Sequence, residues 1–538
     1  MLLRLDDTAR VLSAKRTIDE LLGKHNEWFL AQDGAAPFPI GAAEFDFSIA
    51  HQRLIFAGWL ETGFRSWRIT AWNWSGQKLT LEASRRLGAE VATLDLIPRE
   101  SARAIVATIS AARHARCVRL AEIACGALAA QSAPLKIESA TLSPGMRRDQ
   151  PGRYARVILR RPRERLAVTA TVATSDARNI DSLFSSALLW FTRLQNRPQR
   201  PAVKKLLIAV EHNILQATRQ RHVLLRQSLR DRIELWEINS TEDPVGTRGS
   251  SPTVREGVNA SDTWQRLEPV RPWERNNLWR QRLKQFRPTG EPQPIERVQE
   301  IIALAPGAVD VVTARHGQTL RYHGLPFARV RRVMDRDRIW FGIEGSRRRL
   351  LDEYHEPDWQ KLWRDLQHYR DALCRDRRHW FYRAAGEAWL ESILRRDISK
   401  LDPGLIVAPL HAQFRTSHGG PASARPIDLL ALRHDGRLAV IELKVNEDRE
   451  HVFQGVDYWR RVEAHRRRGH ISTARLFGDR EISDESPLVY LVAPTLRFHP
   501  SFATLASTIA PDIEVYRFDI NEDWRRGVRV VRRERVNA

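Results

Sequence analysis

Two kinds of hydrophobic period run along the chain, and each occurs twice. FDFSIAHQRLIFAGWLETGFRSW (45–67) and VDVVTARHGQTLRYHGLPFARV (309–330) alternate apolar and polar positions and are rich in β-branched and aromatic residues. That is the period of antiparallel strands. KLTLEA (78–83) and RIWFGIEG (338–345) continue the alternation in each half. Farther along, the extended runs RYARVILRR (153–161) and RLAVTATVATSD (165–176) lead to a Trp-containing helical segment, SALLWFTRLQ (186–195). A strand KLLIAV (205–210), a helix and a last strand RIELWEIN (232–239) follow. The same order recurs in RPIDLLALR (425–433), RLAVIELKVNED (437–448), GVDYWRRVEA (455–464), LVYLVA (488–493) and DIEVYRFDIN (512–521). The pattern predicts an α/β (α+β) chain made by tandem duplication. Each copy would be a β-rich module followed by an α/β module with a central mixed sheet flanked by helices.

Two breaks interrupt the periods. NSTEDPVGTRGSSPTVREGVNASD (239–262) has no hydrophobic period and reads as a flexible linker, and PTGEPQP (288–294) reads as a second break. Between them RPWERNNLWRQRLKQFR (271–287) places Trp273, Leu278, Trp279 and Leu283 on one helical face, which predicts docking on a domain. The alternative for this basic segment is a phosphate backbone. The expected division is a helical lead-in (1–37), a β-rich module (38–110), an α/β module (111–240), the linker with its basic Trp segment (241–304), a second β-rich module with a helix (305–378), a second α/β module (379–525) and a basic tail (526–538).

Composition narrows the class. Hydrophobic residues make up 42% of the 538, which excludes a mostly disordered chain. The 87 basic and 65 acidic residues leave a net charge of +22 and favour a polyanionic partner. Only 10 of the basic residues are Lys, and Arg-rich usage can follow genome composition, so charge alone points weakly to nucleic acid. Cys117, Cys125 and Cys374 form no C-x-x-C pair, which argues against a disulfide framework or a zinc site and fits a reducing, cytoplasmic compartment. Asp6 and Asp7 precede any apolar core, so no secretory signal is expected. No apolar run approaches ~18 residues, so no membrane association is expected. No Gly-rich phosphate loop supports ATP or NAD, and His379, His411, His418, His451 and His465 show no ligand spacing. Most of the 17 tryptophans sit in apolar-periodic segments and read as core.

The chemistry lies in RPIDLLALRHDGRLAVIELKVNEDREHVFQGVDY (425–458). Two apolar runs separated by His434-Asp435-Gly436 predict a β-hairpin with Gly436 in the left-handed position. If Arg433 pairs with Arg437, paired numbers sum to 870 and Asp428 lies opposite Glu442. The period of two puts Lys444 on their face. LAVIELKV is apolar on both sides of its charges, as a doubly covered central strand requires. Such buried charges are costly unless they pair or bind something. Two carboxylates with a Lys suit Mg²⁺ or Mn²⁺ plus a phosphate.

These residues resemble the PD-(D/E)XK nuclease superfamily, of restriction-endonuclease-like fold. Pro426-Ile427-Asp428, thirteen intervening residues and Glu442-Leu443-Lys444 carry the likeness, with the proline two positions before Asp428 instead of one. Gln454-Gly455-Val456-Asp457-Tyr458 is similar to the Q-x-x-x-Y motif of the RecB-like branch. The resemblance implies metal binding by Asp428 and Glu442, a catalytic Lys444, and Gln454 and Tyr458 on the DNA side. Glu387-Ala388-Trp389-Leu390-Glu391 is similar to the first helix of that fold, which contributes a glutamate. Glu387 and Glu391 share a helical face, so the sequence leaves that choice open. The N-terminal β-module resembles, in architecture, that of the mismatch- or branch-directed endonucleases of the superfamily, which couple a β-domain to such a nuclease domain. The likeness spans about 150 residues, 380–530.

The first copy lacks this chemistry. Aligning RLAV on RLAV puts Ala170 at the Glu442 position and Val172 at the Lys444 position, and only Glu122 matches a carboxylate, that of Glu387. Arg460, Arg461 and the Arg466–Arg468 cluster beside the Q-x-x-x-Y helix form a candidate phosphate-contacting rim. The tail arginines Arg525, Arg526, Arg529, Arg532, Arg533 and Arg535 read more readily as a solvated, disordered end than as part of that rim. The sequence therefore predicts a Mg²⁺- or Mn²⁺-dependent deoxyribonuclease, an endonuclease with one active site per chain. Its partner would be DNA, and the sequence leaves the preferred structure open, with branched, mismatched and single-stranded forms among the candidates. It would nick, or pair as a homodimer to cut both strands. The alternatives are an inactive nucleic-acid-binding or scaffold protein that keeps the fold, and an RNA-directed nuclease.

Overall fold

The computed structural model describes residues 2–35, 37–41, 44–60, 63–85, 90–129, 135–145, 151–173, 180–197, 201–239, 263–266, 295–314, 317–333, 336–343, 348–414 and 426–538. The chain is α+β and divides into two compact units. One comprises residues 1–176, 191–215 and 232–268, and the other 177–190, 216–231 and 269–538. The expected break at 239–262 thus lies, beyond Asn239, outside the described residues, as do 271–287 and 288–294.

In the first unit an antiparallel sheet runs in the order Phe38–Gly41, Glu27–Gln32, Glu90–Pro98, Leu79–Arg85, Gly63–Trp74, Arg53–Leu60, Phe45–Ala50, with Leu3–Arg4 added on Gly63–Trp74. The helix Thr8–Lys24 buries Val11, Ala14, Ile18 and Leu21, the i, i+3, i+4 stripe of an amphipathic helix. Asp7 caps it by accepting from Arg10 N at 2.7 Å. A six-stranded mixed sheet then orders Lys136–Pro144, Pro151–Arg161, Glu164–Thr171, Val203–Glu211, Ile233–Asn239 and Thr263–Arg266. The last of these strands falls inside the expected linker and closes the sheet antiparallel to Ile233–Asn239.

In the second unit the five-stranded antiparallel sheet orders Val309–Ala314, Gly317–Tyr322, Leu325–Val333, Arg336–Phe341 and Arg349–Leu350. Leu320, Val330, Ile339 and Phe341 on one face pack with Val298 and Ile301 of the helix Glu296–Leu304 and Trp359 and Leu366 of the helix Glu356–Tyr369. The second six-stranded sheet orders His411–Phe414, Ile427–Leu432, Leu438–Leu443, Leu488–Pro494, Val515–Ile520 and Val530–Arg535. Its successive pairings are antiparallel, antiparallel, parallel, parallel and antiparallel. The six-stranded sheet of the first unit has the same sequence of senses. The two sheets therefore share one topology, as the repeated order of elements predicts.

The basic tail is an ordered strand instead of the expected disordered end, although most of its side chains are exposed. Val530–Arg535 is the sixth strand of the sheet, and the buried Asn537 donates to Ala510 O and Ile513 O and accepts from Val515 N. Its side chain stands in for ladder partners that the short edge strand lacks.

Every residue of Leu438–Leu443 is buried, as its continuous apolar run requires. Ala439 and Ile441 pack with Trp389, Leu390 and Leu394 of the helix Gly386–Arg396. Leu438 and Val440 pack with Tyr458 and Val462 of the helix His451–Arg467. Gly455 lets that second helix approach: a Cβ there would lie 2.5 Å from Leu491 Cδ2. No helix among the described residues is long and apolar enough to cross a membrane.

Candidate active site

The hairpin forms in the expected register. Leu429 pairs with Ile441, Leu430 with Val440, Ala431 with Ala439 and Leu432 with Leu438, all summing to 870. Arg433 N donates to Arg437 O at 2.9 Å, and Gly436 takes φ +80° to close the loop. At the open end Asp428 Oδ2 accepts from Leu443 N at 2.9 Å, one residue past Glu442. Asp428, Glu442 and Lys444 thereby meet. Lys444 Nζ donates to Glu442 Oε1 at 2.6 Å and lies 3.8 Å from Asp448.

The electrostatics of this cluster are unbalanced. Among the described residues no donor reaches Glu442 Oε2, and the carboxylate lies within hydrogen-bonding reach of Asp428. Burial, then repulsion from Asp428, pushes the Glu442 carboxyl well above its ordinary range, against the pull of Lys444. Burial also raises Asp428, although Lys444 and the Leu443 N–H oppose it. Burial alone would lower the Lys444 ammonium, but Glu442, Glu387 and Asp428 together hold it above its usual value. Lys444 is therefore a charged donor at neutral pH and not a general base.

The two helix glutamates separate. Glu387 is half-buried, accepts from the Val445 N–H, and feels Lys444, Asp428 and Asp448. Burial, reinforced by those two aspartates, raises its pKa. Gly386 allows the helix to start here, because a Cβ would fall 2.8 Å from Val445 Cγ2. Glu391 is buried and already engaged. It accepts from Arg321 Nη2 at 3.1 Å and Gln413 Nε2 at 2.8 Å, and Arg321 in turn binds Asp310 at 2.7 Å. Gln413 also reaches Asp428 Oδ1 at 3.4 Å, so it links the two carboxylates. Glu387 is the glutamate that faces the Asp428–Glu442–Lys444 cluster, and Glu391 is anchored behind it.

The Q-x-x-x-Y helix lies against the same face. Gln454 is buried, with Nε2 3.4 Å from Glu450 Oε2. Tyr458 is buried close enough to Glu442 and Asp428 that, after burial itself, they push its hydroxyl pKa up. The Arg461 guanidinium stacks over its ring at 4.7 Å. Arg460 and Arg461 turn inward instead of forming a rim. Arg460 binds Asp457 at 2.8 Å and Arg461 binds it at 2.5 Å, while Arg466 and Arg467 engage Glu463. Asp457 also receives Arg221 Nη1 at 2.7 Å, and Arg221 Nε binds Asp181 at 2.8 Å.

Two supporting residues have little sequence signal. Gln413 sits at φ +49° on a short strand, in no motif. His451 stacks on Phe498 at 5.9 Å with Nε2 3.2 Å from the Glu442 carbonyl. Burial, aided by Lys444, pulls its pKa down to about 3, so it is neutral and its N–H donates to that carbonyl.

The corresponding positions of the first unit hold no such group. In its hairpin Ala155 pairs with Ala170, where Asp428 and Glu442 stand in the second. Ala155, Ala170 and Val172 are all buried apolar residues, and Glu122 is exposed.

Among the described residues no three His, Cys, Asp or Glu side chains converge tightly enough to enclose a metal ion unaided. A Mg²⁺ site commonly uses one or two carboxylates and completes its shell with water and phosphate oxygens. Asp428 and Glu442, with the unsatisfied Glu442 Oε2 and Glu387 nearby, match that donor set. Comparison of the chain with protein-family models, curated proteins and solved structures returns no match.

Proposed function

We propose that the chain is a metal-dependent nuclease that hydrolyses DNA phosphodiester bonds at one site, in its second unit. The observation that carries this reading is the burial of Glu442 and Lys444 beside the half-buried Asp428 at the open end of a central hairpin, with one Glu442 oxygen left without a donor among the described residues. A purely structural cluster would have been satisfied internally or replaced by apolar residues, as at Ala155, Ala170 and Val172.

Asp428 and Glu442, with Glu387 beside them, would hold Mg²⁺ or Mn²⁺. The bound ion supplies Lewis-acid polarisation of the phosphate and a more acidic water. The chain's own residues divide the remaining work. The Leu443 N–H fixes the Asp428 carboxylate, and His451 fixes the Glu442 backbone. Lys444, held protonated by Glu442, donates to the attacking water or to a phosphoryl oxygen as negative charge builds there. The water oxygen forms the new P–O bond as one sugar oxygen leaves with a proton. Tyr458 closes the apolar side of the cluster.

With one such site, the expected product from duplex DNA is a nick. The test is cleavage of supercoiled plasmid, linear duplex, single-stranded, branched and mismatched DNA, and RNA, with Mg²⁺, Mn²⁺ or EDTA. Metal-dependent cutting of DNA that Asp428→Ala abolishes supports the reading. Faster cutting of RNA than of any DNA reassigns the substrate, and cutting that survives EDTA or Asp428→Ala refutes the site.

A further inference from the structure

The five-stranded sheet of the second unit has a second face that no helix of its core cluster covers. Its core face carries Leu320, Val330, Ile339 and Phe341. Strand alternation places Arg329, Arg331, Arg338 and Trp340 on the opposite face. Arg329 lies directly opposite Trp340 and Arg331 opposite Arg338 on the neighbouring strand. Arg338 and the adjacent Arg348 are exposed, and Arg329, Arg331 and Trp340 are half-exposed.

Several arginines elsewhere in the unit are ion-paired. Arg321, Arg433, Arg437, Arg460 and Arg466 are each bound to carboxylates. No described carboxylate pairs with Arg329, Arg331, Arg338 or Arg348, and the Nε atoms of Arg329 and Arg331 are buried without a partner. After burial, Arg331 and Arg348 are what lower the Arg329 pKa, so like charges crowd one another. An unpartnered cationic row of this kind is destabilising for the free protein and calls for an anionic occupant. Thr319 pairs with Arg329, and alternation from Thr319 puts Arg321 on this same face, where it reaches Glu391 behind the proposed catalytic cluster. The basic face therefore leads away from the site on the same surface that buttresses it.

We infer that this sheet face binds single-stranded nucleic acid, with phosphates on Arg329, Arg331, Arg338 and Arg348 and a base stacked on Trp340. Alternating arginines around one aromatic ring on an open sheet match the pairing of charge and stacking that single strands need. A duplex buries its bases and offers Trp340 nothing to stack on. The inference concerns binding and holds whether or not the neighbouring cluster cuts.

The test is fluorescence anisotropy of labelled single-stranded and duplex oligonucleotides with the full chain in EDTA, across a salt series. Arg329→Gln/Arg331→Gln/Arg338→Gln is compared with Arg475→Gln/Arg480→Gln/Arg497→Gln, which removes equal charge elsewhere. The sheet variant is expected to bind single strands at least tenfold more weakly, with a salt slope shallower by about 2, near 0.7 per lost phosphate contact. Trp340→Leu is expected to weaken single-strand binding about tenfold while changing duplex binding little. Melting curves of all variants check that each is folded. Unchanged binding by the folded sheet variant, or equal loss in the control variant, overturns the inference. Equal loss of single-strand and duplex binding on Trp340→Leu overturns the stacking assignment. Loss of cleavage alone, with binding intact, bears on the nuclease reading and not on this one.

Discussion

Replacing Asp457 by Asn should be among the most destabilising single changes in the second unit. Asp457 is buried and its two oxygens receive Arg221 at 2.7 Å, Arg460 at 2.8 Å and Arg461 at 2.5 Å. Burial alone would raise its pKa, but the three guanidinium groups hold it far below the usual carboxylate range. Asn keeps the shape and removes the charge that three buried or half-buried cations share, while Arg221 keeps its ion pair with Asp181. Removing one partner of a buried ion pair costs about 3–5 kcal/mol. For a unit of this size that lowers the melting temperature by roughly 6–15 °C. The assay is thermal and denaturant unfolding at neutral pH. The pH dependence has a definite sign. A depressed folded pKa contributes stability that is present above the unfolded value near ~3.9 and is lost as pH falls through the acid range. The gap between wild type and Asp457→Asn should therefore be full at pH 7 and narrow below about pH 4. A loss under about 1 kcal/mol, or a gap that widens on acidification, would refute the reasoning.

Four further substitutions, two of them compared with each other, test other parts of the molecule. Gly455→Ala should cost about 1–3 kcal/mol by denaturant unfolding, since its Cβ would fall 2.5 Å from Leu491 Cδ2; a neutral result would mean that the helix is free to move off the sheet. Arg370→Met should cost about 3 kcal/mol or more, because the buried guanidinium donates to the carbonyls of Tyr322, His323, Phe381, Ala384 and Ala385 and stacks on Trp389 at 4.6 Å. Burial lowers its pKa only to about 9, so it stays charged at neutral pH. Glu391→Gln should weaken cleavage less than Glu387→Gln in parallel rate measurements, because Glu391 is bound to Arg321 while Glu387 faces Lys444; the reverse order would exchange their roles.

Local signals made the hairpin legible. The apolar runs, the His434-Asp435-Gly436 turn and the period of two placed Asp428, Glu442 and Lys444 together without any long-range information. The repeated order of strands and helices likewise foretold two sheets of one topology. Partners distant in sequence were not legible. Arg321 lies 70 residues from Glu391, and Arg221 lies 236 from Asp457, so no pattern along the chain connects them. Arg460 and Arg461 are a different case: Asp457 precedes them by three and four residues on the same helix, a local spacing that already offers these pairs. What the sequence does not show is their burial and the approach of Arg221 from 236 residues away to the same carboxylate. The tail misled for another reason. Alternation in VVRRER is weak because it forms an edge strand with a largely exposed surface.

The most direct test of the central claim is the fate of supercoiled plasmid with wild type, Lys444→Ala and Lys444→Arg in Mn²⁺. Lys444 is set against Glu442, Glu387 and Asp428. Wild type should convert supercoiled plasmid to open circles with little linear product, Lys444→Ala should lose that conversion by about 100-fold or more, and Lys444→Arg should recover little of it. Nicking that persists in Lys444→Ala, or direct linearisation by a proven monomer, would contradict a single Lys444-dependent site.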